Sequence, residues 1–231
     1  MVKKGNISRD FIIQNPMKLD ITQISQVRLS EAQYFHEEAP KTQIYLHHTA
    51  GNGNAVGVSR YWNSNGDRIA TAFVIGELGT IVQCFSSRHW AYHLGIDSQD
   101  FSTHGLKYQN LNKLSVGIEV CNWGPLKLKD GKYYNYVKGV VDPSMVTTLD
   151  TPFKGNKYWY RYTDEQIEST RQLVEYLCDT YKIPKTYRSE IFAIDKEAFR
   201  GTPGIYTHNS VRRDKSDIYP CPRMINMLEN L

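Results

Sequence analysis

The run of residues 115–120 (SVGIEV) constrains the fold more than any other part of this sequence. It is short, rich in β-branched residues and almost continuously apolar, which is typical of a strand covered on both faces in the middle of a sheet. Glu119 is its one charged side chain, and an unpaired carboxylate in such a strand is costly. The run therefore predicts a central strand in which Glu119 either performs chemistry or pairs with a distant Arg or Lys.

Further strands and helices alternate along the chain. Residues 43–47 run into a turn-rich stretch and predict a strand that feeds a loop. Residues 55–63 predict a short helix, and the apolar runs 71–75 and 80–84 predict a β-hairpin. Residues 126–136 alternate around an Asp-Gly pair and predict a second, exposed hairpin.

Two helices follow. A capping box at Thr163 starts a helical pattern that Pro184 stops, and a last helix begins at Pro222. This alternation predicts a single α/β domain that consists mostly of a central mixed β-sheet flanked by helices. We assign residues 43–231 to this domain and residues 1–42 to an N-terminal extension of unknown role.

The composition limits the classes of partner. The chain has 231 residues, of which 40% are hydrophobic and 23% charged, so it can bury a sizeable core. Its net charge of +4 is too small to imply nucleic-acid binding, although it suits a polyanionic or wall-like partner. No apolar run approaches the roughly 18 residues that cross a bilayer. The first residues are basic and then polar, which predicts no secretory signal peptide and synthesis in the cytoplasm.

Four cysteines are too sparse and too widely spaced for a disulfide framework: Cys84, Cys121, Cys178 and Cys221. We expect reduced thiols that are mostly part of the core. Cys221 is the exception that we consider as a metal ligand, because it lies in a segment that also contains His and Asp.

Five ordered motifs carry a resemblance to a known family. They are residues 46–51 (LHHTAG), 79–81 (GTI), 90–95 (WAYHLG), 115–119 (SVGIE) and the segment from His208 to Asp217. Together they resemble the type 2 N-acetylmuramoyl-L-alanine amidases, which share their fold with peptidoglycan recognition proteins and include phage endolysins. Five motifs in the right order are far more specific than any one of them.

The resemblance implies a zinc site. The family's ligands are two His and a later Cys or Asp, which the motifs place on His47, His208 and Asp217. In the family, Pro often follows the third ligand directly; here two residues intervene, so Cys221 and Asp214 stay open as rival ligands. Three protein ligands leave a fourth position of a tetrahedral site for water, as in catalytic zinc sites.

The resemblance also implies the catalytic groups. Glu119 would accept a proton from the water and deliver it to the leaving amine, and Lys215 would stabilise the charge on the carbonyl oxygen. Lys215 could equally be a solvated charge. Some family members carry a catalytic Tyr where this chain has Thr71. Without that phenol, the resemblance implies that Glu119 contributes more of the catalysis.

Three residues are expected near the substrate: His93, Trp90 and Thr71. His93 resembles a family position that could hydrogen-bond the peptide or the oxyanion. Trp90 could line a sugar or peptide groove, although core packing is at least as good an interpretation. His48 is interpreted as structural, because adjacent strand residues point to opposite faces.

The expected function is zinc-dependent hydrolysis of the amide between N-acetylmuramic acid and the L-Ala of the peptidoglycan stem peptide. We expect a monomer that lyses cell walls as a phage endolysin, released to the wall with the help of a holin. The alternatives are a non-catalytic peptidoglycan recognition module, a muropeptide-recycling amidase and another zinc amidohydrolase acting on small amides. Neither nucleic-acid binding nor stable membrane insertion is expected.

Overall fold

The computed structural model describes residues 18–231, and its main layer is a six-stranded mixed sheet. The strands are β1 (Ser25–Gln26), β2 (Gln43–His48), β3 (Phe73–Ile75), β4 (Ile81–Gln83), β5 (Ser115–Val120) and β11 (Gly204–Thr207). Their order is β1-β4-β3-β5-β2-β11, and only the β3–β4 hairpin is antiparallel. The predicted central position of β5 is confirmed, because it pairs with β3 on one side and β2 on the other.

Between residues 18 and 231, six α-helices surround or connect the strands. They are α1 (Ala55–Asn65), α2 (Ser98–Ser102), α3 (Leu111–Leu114), α4 (Asp164–Tyr181), α5 (Lys196–Phe199) and α6 (Pro222–Glu229). Helix α4 begins with the predicted capping box: Thr163 and Gln166 each accept from the other's backbone N–H. Its buried face includes Leu173, Val174 and Leu177, and it packs on β3 and α6. The expected α/β fold is therefore confirmed.

A second, antiparallel sheet was only partly predicted. It comprises β6 (Pro125–Lys129), β7 (Lys132–Tyr134), β8 (Val140–Val141), β9 (Val146–Phe153) and β10 (Asn156–Tyr160), in the order β8-β7-β6-β10-β9. Strands β6 and β7 form the predicted hairpin, and both turn residues have positive φ: 50° at Asp130 and 71° at Gly131. Trp159 of β10 is fully buried and stacks on Tyr219 at 4.7 Å, which anchors this sheet to the main domain.

The segment before β2 adds an edge to the main sheet. Strand β1 pairs in parallel with β4, Leu29 is buried in the core, and Phe35 pairs with Trp90. The division of the chain at residue 42 stays a prediction. The stretch for which no signal peptide is expected, residues 1–17, lies outside the described residues. From residue 18 onward, no helix is long and apolar enough to cross a bilayer.

Candidate metal centre and active-site cleft

The candidate site lies at one edge of the main sheet. Strands β2, β5 and β11 run parallel, so their carboxyl ends meet at the same edge. His47 lies near the end of β2, directly beside Glu119 of β5 in the strand register. His208 follows β11 immediately. The order of the strands in the sheet thus brings together side chains that are separated by up to 161 residues in sequence.

Three buried side chains point their donor atoms at one another. His47 Nδ1 lies 3.1 Å from His208 Nδ1 and 3.2 Å from Asp217 Oδ2. His208 Nδ1 lies 3.1 Å from the same Asp217 oxygen. The atoms form a nearly equilateral triangle, and the ligand atoms of a tetrahedral zinc site are about 3.3 Å apart when each bond is about 2.0 Å. The donor set and its spacing therefore fit a zinc ion.

The partners behind the two imidazoles are compatible with the tautomer that leaves each Nδ1 lone pair free. His208 Nε2 lies 2.9 Å from the carbonyl oxygen of Leu94, which can only accept, so the ring proton belongs on Nε2. His47 Nε2 lies 3.0 Å from His93 Nδ1. A backbone carbonyl partner such as that of Leu94 is typical of metal-ligating His. Two lone pairs and a carboxylate oxygen then face one point, an arrangement that a cation stabilises.

The electrostatics of the triangle agree with a metal site. Burial lowers the pKa of His47 to about 4, so its imidazole is neutral and able to coordinate at pH 7. Burial raises the pKa of Asp217, but hydrogen bonds with His208 and His47 outweigh burial and hold its pKa well below the usual range. Asp217 is therefore ionised while the His47 imidazole is neutral.

The triangle opens into a cleft of about 350 Å³. Glu119, Lys215, His93 and Thr71 all line this cleft. Burial raises the pKa of Glu119 well above its ordinary value, the charge of Asp217 raises it further, and Lys215 opposes both. A carboxylate with a raised pKa can both accept and return a proton near neutral pH.

Other sequence-predicted candidates lie elsewhere or have other partners. Trp90 does not line the cleft: it stacks on Phe35 at 3.9 Å and donates to Glu37. Asp214 lines the cleft, but Arg212 binds both of its oxygens at 2.7 Å and lowers its pKa to about 2. Cys221 is buried and is not one of the three clustered ligand residues.

His48 also lines the cleft, so its interpretation as a structural residue stays a prediction. Its Nδ1 lies 3.3 Å from the Tyr162 hydroxyl and does not join the triangle. The four cysteines are all buried and free, as expected for core thiols.

Sequence reasoning missed the groups that support the site. His93 Nε2 lies 2.9 Å from Ser115 Oγ, and Ser115 donates to the backbone oxygen of Leu111. A continuous path of hydrogen bonds therefore runs from His47 through His93 and Ser115 to α3. Ser115 opens the central strand, a position that could have drawn attention, but nothing in the sequence places it beside His93.

The comparisons with known proteins agree with this geometry. The family model described as N-acetylmuramoyl-L-alanine amidase (Amidase_2) matches residues 37–222. No curated protein sequence matches the chain. Among solved structures, that of PlyL is 13% identical, with a TM-score of 0.53 over 89% of this chain and 96% of that chain. A mutant of PlyL is 14% identical, with a TM-score of 0.51 over 90% and 99%.

Each comparison supports a different conclusion. At these identities, the PlyL structures show the fold that the chain shares with them, a mixed sheet with flanking helices. The family model matches well over half of the chain. The protein therefore belongs to the family of N-acetylmuramoyl-L-alanine amidases, Amidase_2.

Proposed function

We propose that this protein is a zinc-dependent N-acetylmuramoyl-L-alanine amidase. It would hydrolyse the amide between the lactyl group of N-acetylmuramic acid and the L-Ala of the stem peptide. The observation that carries the proposal is the triangle of His47, His208 and Asp217 in a cleft that Glu119 also lines. A recognition module needs a groove for the muropeptide but no convergent metal ligands beside a carboxylate of raised pKa.

The three ligand residues would hold zinc through His47 Nδ1, His208 Nδ1 and an Asp217 oxygen. Bound zinc with an open fourth position lowers the pKa of a water ligand to about 7 and so supplies a nucleophile at neutral pH. His93 accepts a hydrogen bond from His47 Nε2 and holds that ring in the tautomer that presents Nδ1. In this proposal His93 is a positioning residue for His47, and Trp90 is not part of the site.

The remaining cleft residues would transfer protons and stabilise developing charge. Glu119 takes a proton from the attacking water and returns it to the amine nitrogen of L-Ala as the C–N bond breaks. Lys215 stabilises the negative charge that develops on the carbonyl oxygen. Thr71 donates its hydroxyl proton to the backbone oxygen of Phe73, so it shapes the cleft wall and supplies no free acid. The products are a lactyl carboxylate and a free L-Ala amine.

The test is digestion of purified sacculi with the zinc-loaded protein, followed by labelling of new amines. We expect L-Ala amino termini with the wild type and far slower release of them with Glu119→Gln. The absence of new L-Ala termini with the zinc-loaded wild type contradicts the proposal, and a protein that binds muropeptides without binding zinc is a recognition module.

The biological role that we propose is lysis of the wall as an endolysin acting on the intact polymer. A recycling amidase instead acts on soluble muropeptides. Comparing turnover of intact sacculi with turnover of soluble muramyl peptides therefore separates the two roles, and a strong preference for the soluble fragments contradicts the endolysin role.

A further inference from the structure

The second sheet presents a row of lysines on one face. Side chains alternate along a strand, so Lys127 and Lys129 of β6 share a face with Pro125. Cross-strand partners also share a face, which adds Lys132, the partner of Lys129. All three lysines are exposed. The face is completed by Tyr134 and Val140, and Val140 is 64% exposed.

This lysine face is the face of the second sheet that also carries Trp159, whose ring stacks on Tyr219. Pro125 pairs with Trp159, so the buried Trp159 ring lies on the same face as the lysines. That ring is 6.4 Å from the ring of His48, which lines the cleft. The β9–β10 turn makes a second link, because Lys154 donates to the backbone oxygen of Arg213, next to cleft residue Asp214. The lysine face is thus continuous with the elements that build the cleft.

The lysines have no anionic partners in the part of the chain from residue 18 to 231. None of the three forms an ion pair or a side-chain hydrogen bond there. Lys129 and Lys132 are directly opposite each other across the hairpin, and like charges in that position destabilise a strand pair. An anionic ligand would turn this repulsion into a favourable contact.

An aromatic pair lies between the cleft and the second sheet. Trp123 follows the cleft end of β5, and its ring is 5.8 Å from that of Tyr136, which is 61% exposed. Tyr136 follows β7, the strand that carries Lys132. The pair offers ring surface beside a row of positive charge.

We propose that the lysine face, formed by Lys127, Lys129 and Lys132, binds intact peptidoglycan beyond the bond that is cut. This inference rests on the proposed function, because it takes the substrate to be a polymer of which one amide occupies the cleft. The stem peptides next to that amide carry carboxylates, and several of them in one polymer complement several lysines on one rigid face. The face would contribute to binding of the polymer and leave the chemistry of a single muramyl peptide unchanged.

The test compares two triple variants of the full chain. The first is Lys127→Gln, Lys129→Gln and Lys132→Gln. The matched control removes the same charge at exposed lysines outside the second sheet: Lys18→Gln, Lys107→Gln and Lys196→Gln. Cosedimentation with intact sacculi measures binding at low and high salt, and release of L-Ala amines measures turnover of sacculi and of a soluble muramyl peptide. Thermal unfolding verifies that both variants fold.

We expect the first variant to bind sacculi at least about threefold more weakly than the control at low salt. High salt should remove the difference, and turnover of the soluble substrate should match the wild type. Equal binding by the two variants overturns the proposal.

A further arm uses sacculi stripped of accessory phosphate polymers. If the difference between the variants disappears on stripped sacculi, the face binds those polymers and the proposal is also overturned. Failure of the wild type to release L-Ala from either substrate contradicts the proposed function instead, and the binding comparison still decides the role of the lysine face.

Discussion

Replacing His93 by Ala tests the hydrogen bond that orients His47. His47 is only 3% exposed, and its Nε2 has His93 Nδ1 as its partner at 3.0 Å. When zinc occupies Nδ1, the ring proton must be on Nε2, where the variant leaves it without an acceptor. An unsatisfied buried donor costs about 1–3 kcal/mol.

This cost should appear in zinc affinity. In the metal-free protein, the His47 proton can move to Nδ1 and be shared with Asp217, 3.2 Å away, so the penalty is avoided. In the zinc-bound protein the proton cannot move to Nδ1, because zinc occupies that atom. We therefore expect zinc affinity to fall about 10- to 100-fold, as is usual when a partner of a ligating His is lost.

The assay is competition for zinc with a chromophoric chelator, together with urea unfolding of the metal-free proteins. His93→Asn, which can place an amide oxygen near the position of Nδ1, should recover part of the affinity. His89→Ala is the matched control, because His89 lies in the same segment and does not line the cleft. Zinc affinity of His93→Ala within about twofold of the wild type would refute the positioning role.

Four further predictions concern the same cleft. Glu119→Gln should lower kcat by about 10²- to 10⁴-fold with zinc content unchanged, measured by kinetics and metal analysis on one sample; an unchanged kcat contradicts its role. Because its pKa is raised, Glu119 loses its proton-accepting form at a higher pH than an ordinary carboxylate, so the acidic limb of kcat/KM should disappear in this variant. Asp217→Asn should lose zinc and Cys221→Ser should retain it; the reverse result in metal analysis makes Cys221 the ligand. The pKa of His47 is about 4 in the folded protein and about 6.5 in the unfolded chain, so the unfolded chain binds more protons between these pH values. The free energy of unfolding of the metal-free protein, measured with urea, should therefore fall as the pH drops through this window. A free energy of unfolding that does not change with pH there contradicts the prediction.

Strands β2, β3, β4 and β5 of the main sheet were predictable because they carry strong local signals, whereas β11 was not predicted. The apolar run around Glu119 identifies a central strand, and the apolar runs of the β3–β4 hairpin flank a glycine-rich turn. Strand β1 has only two residues, both exposed, so no periodicity could reveal it. Strand β9 was missed for a related reason: only Leu149 of its eight residues is buried, which gives no alternating pattern.

The sequence indicated which residues belong to the candidate site better than it indicated the contacts between them. The resemblance indicated His47 and His208, but spacing alone could not decide between Asp217 and its rivals, because it does not show how the chain turns after β11. The structure separates them by partner: Asp217 faces both imidazoles, whereas Asp214 is bound by Arg212. The path from His93 to Ser115 depends on the packed sheet and has no local sequence signal.

The two carboxylates of the cleft illustrate how environment separates roles within one site. In the metal-free protein, hydrogen bonds with two imidazoles hold the pKa of Asp217 low, and a carboxylate that binds a metal must likewise be deprotonated. Glu119 has its pKa raised by burial and by the negative charge of Asp217 itself, which suits a group that must take up and release a proton. Opposite pKa shifts of neighbouring acids are a guide to acid–base assignments. A bound cation would weaken the influence of Asp217 on Glu119, so loading the metal should lower the pKa of Glu119 and favour its proton-accepting form when the nucleophile is in place.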